Sequence, residues 1–303
     1  VEGDRALGGK KPTMEGTLAL VTSKHMYGDG LHTLGDREEA FRQVSEALAL
    51  LEQAGAVESG LQKPMQQYAL MNVTLSNLLT QRSALAASRE QLIRGQAVME
   101  RWVAEHPHDG GVADLFWSSL FYTRAWALRT GDTDVLLETS RKALGVARKR
   151  LALDEKDMSR RVKVGASYVN LSGDLQRNGR RDEALRTTEE GLAFLDRVGI
   201  AQMEEVTHKL SALATYGFFV RFLAASVDEA KRAVPHAKRA IEMAEVLDKT
   251  TGENRRTQAA LEGAYRDAAT ASLNAGDLAE AARMQRSAMG VFLRRPLDSA
   301  TRH

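Results

Sequence analysis

Three side chains near the N-terminus have the spacing of a metal site. His25, Asp29 and His32 fall at i, i+4 and i+7, on one face of a helix, and imidazole with carboxylate at that spacing binds zinc. Gly28 and Gly30 weaken that helix and no fourth ligand is apparent. The favoured reading is therefore a surface hydrogen-bonded pair, with no metal and no cofactor. His106-Pro107-His108-Asp109 offers two more imidazoles in what reads as a solvated turn. The sequence contains no phosphate loop, no GxSxG, no HExxH and no glycine-rich strand-to-helix turn. It has no cysteine, which removes disulfides, cysteine nucleophiles and thiolate metal sites. Arg160-Arg161, Arg180-Arg181, Arg255-Arg256 and Arg294-Arg295 are offset by nearby Asp and Glu. They read as solvated faces and not as a nucleic-acid stripe.

Aromatic residues are concentrated in one segment, with Phe116, Trp117, Phe121, Tyr122 and Trp126 close together. Trp117 and Trp126 are expected in the core and Phe121 on a ligand-facing surface. Charged residues make up 27% of the 303 but nearly cancel, leaving a net charge of +2. Bulk attraction to nucleic acid or membrane is not indicated, and no apolar run reaches the roughly 18 residues of a membrane span. The first residue is Val, so the chain reads as a processed product or a fragment.

The elements that position these residues follow from the stretch 168–195, YVNLSGDLQRNGRRDEALRTTEEGLAFL. Tyr168, Leu171 and Leu175 form one stripe of a first helix. Asn178-Gly179 ends it, because glycine accepts the left-handed geometry of a helix end. A second helix begins near Asp182 with acidic residues in its first turn, where they favour the dipole. The unit recurs. Ala40, Ser88, Leu136, Ala184, Ala233 and Ala281 are 48, 48, 48, 49 and 48 residues apart. Seven residues after each stand Ala47, Gly95, Ala143, Gly191, Ala240 and Ala288, all Ala or Gly. Five residues before each stand Gly35, Ser83, Gly131, Gly179, Asp228 and Gly276, mostly turn formers. Thirteen before are Tyr27, Leu75, Thr123, Leu171, Val220 and Ala268, mostly apolar. A fixed period of this size implies stacked helical hairpins.

These columns predict an all-α solenoid of about six hairpins, over about 17–54, 65–105, 112–153, 158–197, 203–248 and 255–293. A disordered tail is expected over 1–15 and a polar tail over 294–303, with the repeats filling 16–293. Pro235 should either open its helix or kink it.

The columns resemble the tetratricopeptide repeat, which places a bulky residue and then Leu-Gly in its first helix and small residues at two points in its second. Here those slots are Tyr168, Leu171-Ser172, Ala184 and Gly191, and in the last unit Tyr265, Ala268-Ala269, Ala281 and Ala288. The resemblance covers roughly residues 20–293 and implies a right-handed solenoid. The long period, with linkers such as LALDEKDMSRRVKV, is similar to repeats at the C-terminal end of some bacterial membrane-spanning Ser/Thr kinases, although no kinase motif is present. The near-axis glycine of the family is Gly28 in the first unit and Ser76, Arg124, Ser172, Arg221 and Ala269 in the others. An arginine cannot sit where two backbones nearly touch, so units three and five must pack more loosely or lie one residue out of register.

The resemblance also implies a concave groove lined by the first helices. Carried over position by position, it would present Asn77, Gln81, Phe121, Arg129 and Gln176. It would continue through Arg177, Phe218, Phe222, Arg266 and Asn274. Amides satisfy peptide backbone groups, arginines grip carboxylates in a fork and phenylalanines supply pockets. The lysine-asparagine clamp of some family members is missing, its slots holding Val73, Phe121, Val169 and Arg266. The function implied is a non-catalytic scaffold binding a protein or extended peptide, as a sensing region of a larger bacterial signalling protein. Lack of cysteine tilts the compartment towards an extracytoplasmic one. Two other readings stay open: an α/α-toroid enzyme acting on a carbohydrate or isoprenoid, which needs paired acids, and a peptide-pheromone receptor module. Homodimerisation through terminal units also stays open.

Overall fold

In a computed structural model of the protein, residues 13–198, 205–251 and 254–294 are described. Among them are twelve helices and no strands. The chain forms two compact units, divided between Val146 and Ala147. The first unit holds α1 (Met14–Leu34), α2 (Arg37–Gln53), α3 (Gln62–Gln81), α4 (Leu85–Glu105), α5 (Gly110–Thr130) and the start of α6 (Thr133–Leu153). The second holds the end of α6, α7 (Met158–Arg177), α8 (Arg181–Val198), α9 (Val206–Ala224), α10 (Val227–Thr251), α11 (Arg255–Asn274) and α12 (Leu278–Leu293). Odd-numbered helices are the first of each hairpin and even-numbered the second. None of the described helices is long and apolar enough to cross a membrane.

Local chemistry sets the helix ends. Asp36, Asp109, Asp157 and Asp277 each accept a hydrogen bond from a first-turn backbone N–H, as does Thr13. These bonds satisfy donors that the helix itself leaves without partners. Five hairpin turns place a residue at positive φ: Gly35, Ser83, Gly131, Gly179 and Gly276. Four are glycine, which has no Cβ to oppose that conformation. Ser83 is the non-glycine case among the described residues.

Packing follows the small-residue columns. Ala40, Ser88, Ala184 and Ala233 are fully buried, and Leu136 and Ala281 nearly so. Ala47, Gly95, Ala143, Gly191, Ala240 and Ala288 are buried too. At Gly191 an added Cβ would lie 2.7 Å from Phe219 Cε2 and 3.2 Å from Tyr168 Cβ. The ring of Phe219, wholly buried, therefore packs directly on the α8 backbone. Tyr168, Tyr216 and Tyr265 tie first helices to second ones through their hydroxyls, at Glu190 (3.4 Å), Asp196 (3.3 Å) and Glu245 (2.5 Å).

Several sequence expectations need correction. α1 opens at Met14 with Thr13 as its cap, so a disordered tail to residue 15 runs too far; residues 1–12 lie outside the described residues, as do 295–303 of the polar tail. Tyr27 is exposed rather than packed. Asp228 is not a turn residue but lies in the first turn of α10, and Pro235 sits inside that helix, past its first turn. The arginine conflict in the fifth hairpin resolves as a register shift. Tyr168 to Tyr216 spans 48 residues while Ala184 to Ala233 spans 49, which places the extra residue after Tyr216 and before Ala233. Val220, fully buried, fills the close-packed slot and Arg221 points out. In the third hairpin Arg124 is half-buried, and the small slot of the second helix of that hairpin holds the larger, buried Leu136.

Two glycine substitutions should move stability in opposite directions. Gly191→Ala forces the Phe219 ring aside and is expected to lose about 1–3 kcal/mol. Gly263→Ala, in mid-α11 where an added Cβ meets nothing within 4 Å, should gain about 0.5–1 kcal/mol from helix propensity. Urea denaturation checks both signs.

Candidate functional site

First helices of neighbouring hairpins lie side by side within each unit: α1 with α3 and α3 with α5 in the first, α7 with α9 and α9 with α11 in the second. Their outward faces carry the residues expected to form a groove.

In the first unit the two N-terminal histidines are drawn to α3 and not to one another. His25 Nε2 lies 3.5 Å from Asp29 Oδ2 and 3.4 Å from Thr74 Oγ1. His32 Nε2 accepts from the Gln81 side-chain amide at 3.4 Å. Among the described residues no three His, Asp or Glu side chains converge as metal ligands would. Asn77 is half-buried, Arg129 exposed, and Phe121 half-buried with its ring edge-on to Trp117 at 4.4 Å. Trp126 is core, donating its indole N–H to the Leu85 carbonyl at 2.8 Å; Trp117 is half-buried against that core. Val73 is buried and so lines no groove.

In the second unit three first-helix arginines each pair with an acid, Arg177 and Arg266 on their own helices and Arg221 across to α11. Arg177 donates to Asp174 at 3.1 Å, Arg221 to Asp267 at 2.7 Å, and Arg266 pairs with Glu262 at 3.0 Å. The arginine side chains are 59, 55 and 64% exposed and their carboxylates 0, 12 and 7%. Each guanidinium is thus more than half exposed while bonded to an acid that the protein buries. A buried carboxylate needs such a partner, since uncompensated burial of charge is costly. Phe218 stacks at an angle on Phe219 (5.8 Å) and Phe222 (6.4 Å). Gln176 and Phe222 line a shallow depression with Arg181, Ser226 and Glu229. Asn274 departs from expectation: its amide donates to the Ala224 carbonyl at 2.7 Å. It satisfies the end of α9.

A pocket of about 200 Å³ opens between α9 and α11, walled by Leu210, Leu213, Ala214, Ala260 and Ala264. Gly217, Gly263 and Ala240 line it further, and Arg221 and Asp267 close one end. A Cβ on Gly217 would come within 2.9 Å of Asp267 Oδ2, so any larger residue there would push the ion pair aside. Burial pushes the Asp267 carboxyl up to about 6, against the pull of the Arg221 guanidinium. Neither Asp267 nor Gly263 stands out in the sequence. The one available signal is a glycine inside each of two strong helical patterns.

The Asp267 shift has a consequence for stability. Its folded pKa of about 6 lies above the ordinary value near 3.9, so the native state holds the proton more tightly. The residue's contribution to stability is therefore full below about pH 4 and is lost as pH rises through about 6. Asp267→Asn removes that slope, on top of a constant offset from the altered Arg221 bond. The melting temperature of the variant minus that of the parent should rise between pH 4.5 and 7.5; a difference independent of pH would contradict the assignment.

No family model matches the chain, and no curated protein matches its sequence. Solved structures do match its fold. BtubC (BKLC) from P. vanneervenii aligns at a TM-score of 0.56 with 14% identity, over 88% of this chain and 96% of that one. A putative kinesin light chain from P. anserina with nearly identical TPR-like repeats aligns at 0.50 with 18% identity, over 77% and 96%. The chain has the fold of tetratricopeptide-like helical repeat proteins.

Proposed function

We propose that the protein is a non-catalytic interaction scaffold, and that its second unit takes an acidic, extended segment of a partner protein along the first-helix face. The observation that carries this reading is the set of three exposed arginines, Arg177, Arg221 and Arg266, each held by a buried carboxylate. A guanidinium already fixed in orientation loses less side-chain freedom when it grips a carboxylate, and its planar fork suits two-point contact with that group. Half-buried Phe218 and Phe222 add apolar contact beside the charges. The tetratricopeptide-like fold supports the reading, because stacked hairpins leave a long face of first helices open to a partner. We further place the chain as a sensing region of a larger bacterial signalling protein, on the resemblance of its long repeats to those of membrane-spanning kinases.

The test is affinity capture from an extract of the source cell, read by mass spectrometry. The parent chain is compared with an Arg177→Glu/Arg266→Glu variant and with Arg283→Glu on α12, whose arginine pairs with Glu280 on its own helix. A partner with an acidic segment should be retained by the parent and by Arg283→Glu, and reduced at least about tenfold by the double variant, on the scale of one to two charge-assisted contacts. Equal retention by all three would move the interaction off this face.

A further inference from the structure

The pocket between α9 and α11 has features that a protein-binding face does not call for. Gly263 lies in the middle of α11, where glycine is less favourable than alanine. No neighbour requires it, since an added Cβ would meet nothing within 4 Å. What the missing side chain leaves is open volume in the pocket. Gly217 on the facing helix admits the Arg221–Asp267 pair to its end, and the remaining walls are Leu and Ala. At about 200 Å³ the space falls below the roughly 300–1,000 Å³ of pockets that hold drug-sized molecules. It suits a ligand about as large as a single amino acid.

We propose that this pocket binds a free aliphatic α-amino acid. The ion pair selects the charge pattern. Its one bond joins Arg221 Nη1 to Asp267 Oδ2 at 2.7 Å, whereas a guanidinium has five N–H groups and a carboxylate two oxygens. A ligand with only a carboxylate gains Arg221 but meets the Asp267 charge. A ligand with only an ammonium gains Asp267 but meets Arg221. A zwitterion lays its carboxylate against Arg221 and its ammonium against Asp267, so that two opposed dipoles lie side by side and the protein's own pair stays intact. Its aliphatic side chain then occupies the volume between Leu210, Leu213, Ala214, Ala260 and Ala264. The pocket shares Arg221 with the proposed scaffold face, but binding of a free amino acid is measured without a protein partner, so its failure and that of the scaffold reading are distinguishable.

Isothermal titration of the full chain with L-leucine tests this, alongside 4-methylpentanoate and isoamylamine, which keep the tail and one charge each. Leucine should bind saturably at one site, and each single-charge analogue at least about tenfold more weakly. Gly263→Leu fills the pocket with a strong helix former and should abolish binding while keeping the helical circular dichroism. If that variant misfolds, Asp267→Asn serves instead and should weaken leucine at least about tenfold. The proposal is overturned if leucine, valine, isoleucine and methionine all fail to saturate up to about 10 mM, weaker than a Kd of that order. It is equally overturned if either analogue binds as well as leucine, or if a folded Gly263→Leu binds unchanged.

Discussion

The structure depends on how closely helices can approach, both within a hairpin and from one hairpin to the next. At Gly95 an added Cβ would lie 3.0 Å from Asn72 Cβ and 3.1 Å from the Ala69 carbonyl. At Gly191 it would press into the ring of Phe219. Interiors are packed densely enough that one methylene in such a place is felt. The columns of Ala, Ser and Gly on the second helices are therefore the condition for stacking, and the larger residues that fill the core are arranged around them. A repeat cannot bury its apolar face alone, so each hairpin is stable only against its neighbours.

Function, in this account, is located on what the packing leaves over. Second helices are occupied by packing and by bridges between successive hairpins, such as Lys142–Glu100 in the first unit and Arg232–Glu189 and Arg239–Asp196 in the second. First helices keep an outward strip. In the second unit that strip is built in two layers, with carboxylates beneath and guanidiniums above. The lower layer is costly to bury and helps to fix the upper one, a pattern that occurs at functional sites. Asp267 shows this most clearly, since burial raises its pKa even with Arg221 bonded to it.

Much of the fold was legible because the repeat forces it into the residue types. A backbone approach admits only small side chains and a left-handed turn favours glycine, and both constraints recur near every 48 residues. The fifth hairpin was misread where that signal is missing. Its turn, Ala225-Ser226, has no glycine and no positive φ, so the extra residue could not be placed before or after the turn, and the sequence left looser packing and a register shift both open for Arg221. The candidate site was less legible, because its contacts join residues far apart in the chain. Arg221 meets Asp267, 46 residues on, and nothing in the local pattern of either pairs them. Asn274 looked like a free amide and instead satisfies Ala224. His25 and His32 share a helix face, yet each takes a partner from α3, 49 residues along.

The most direct test of the small-residue constraint is hydrogen exchange read by mass spectrometry on Gly95→Leu beside the parent chain. The account predicts that protection is lost first in α3 and α4, where the leucine meets the Ala69 backbone, while α11 and α12 keep theirs. Loss spread evenly over all helices, or none in α3 and α4, would contradict it.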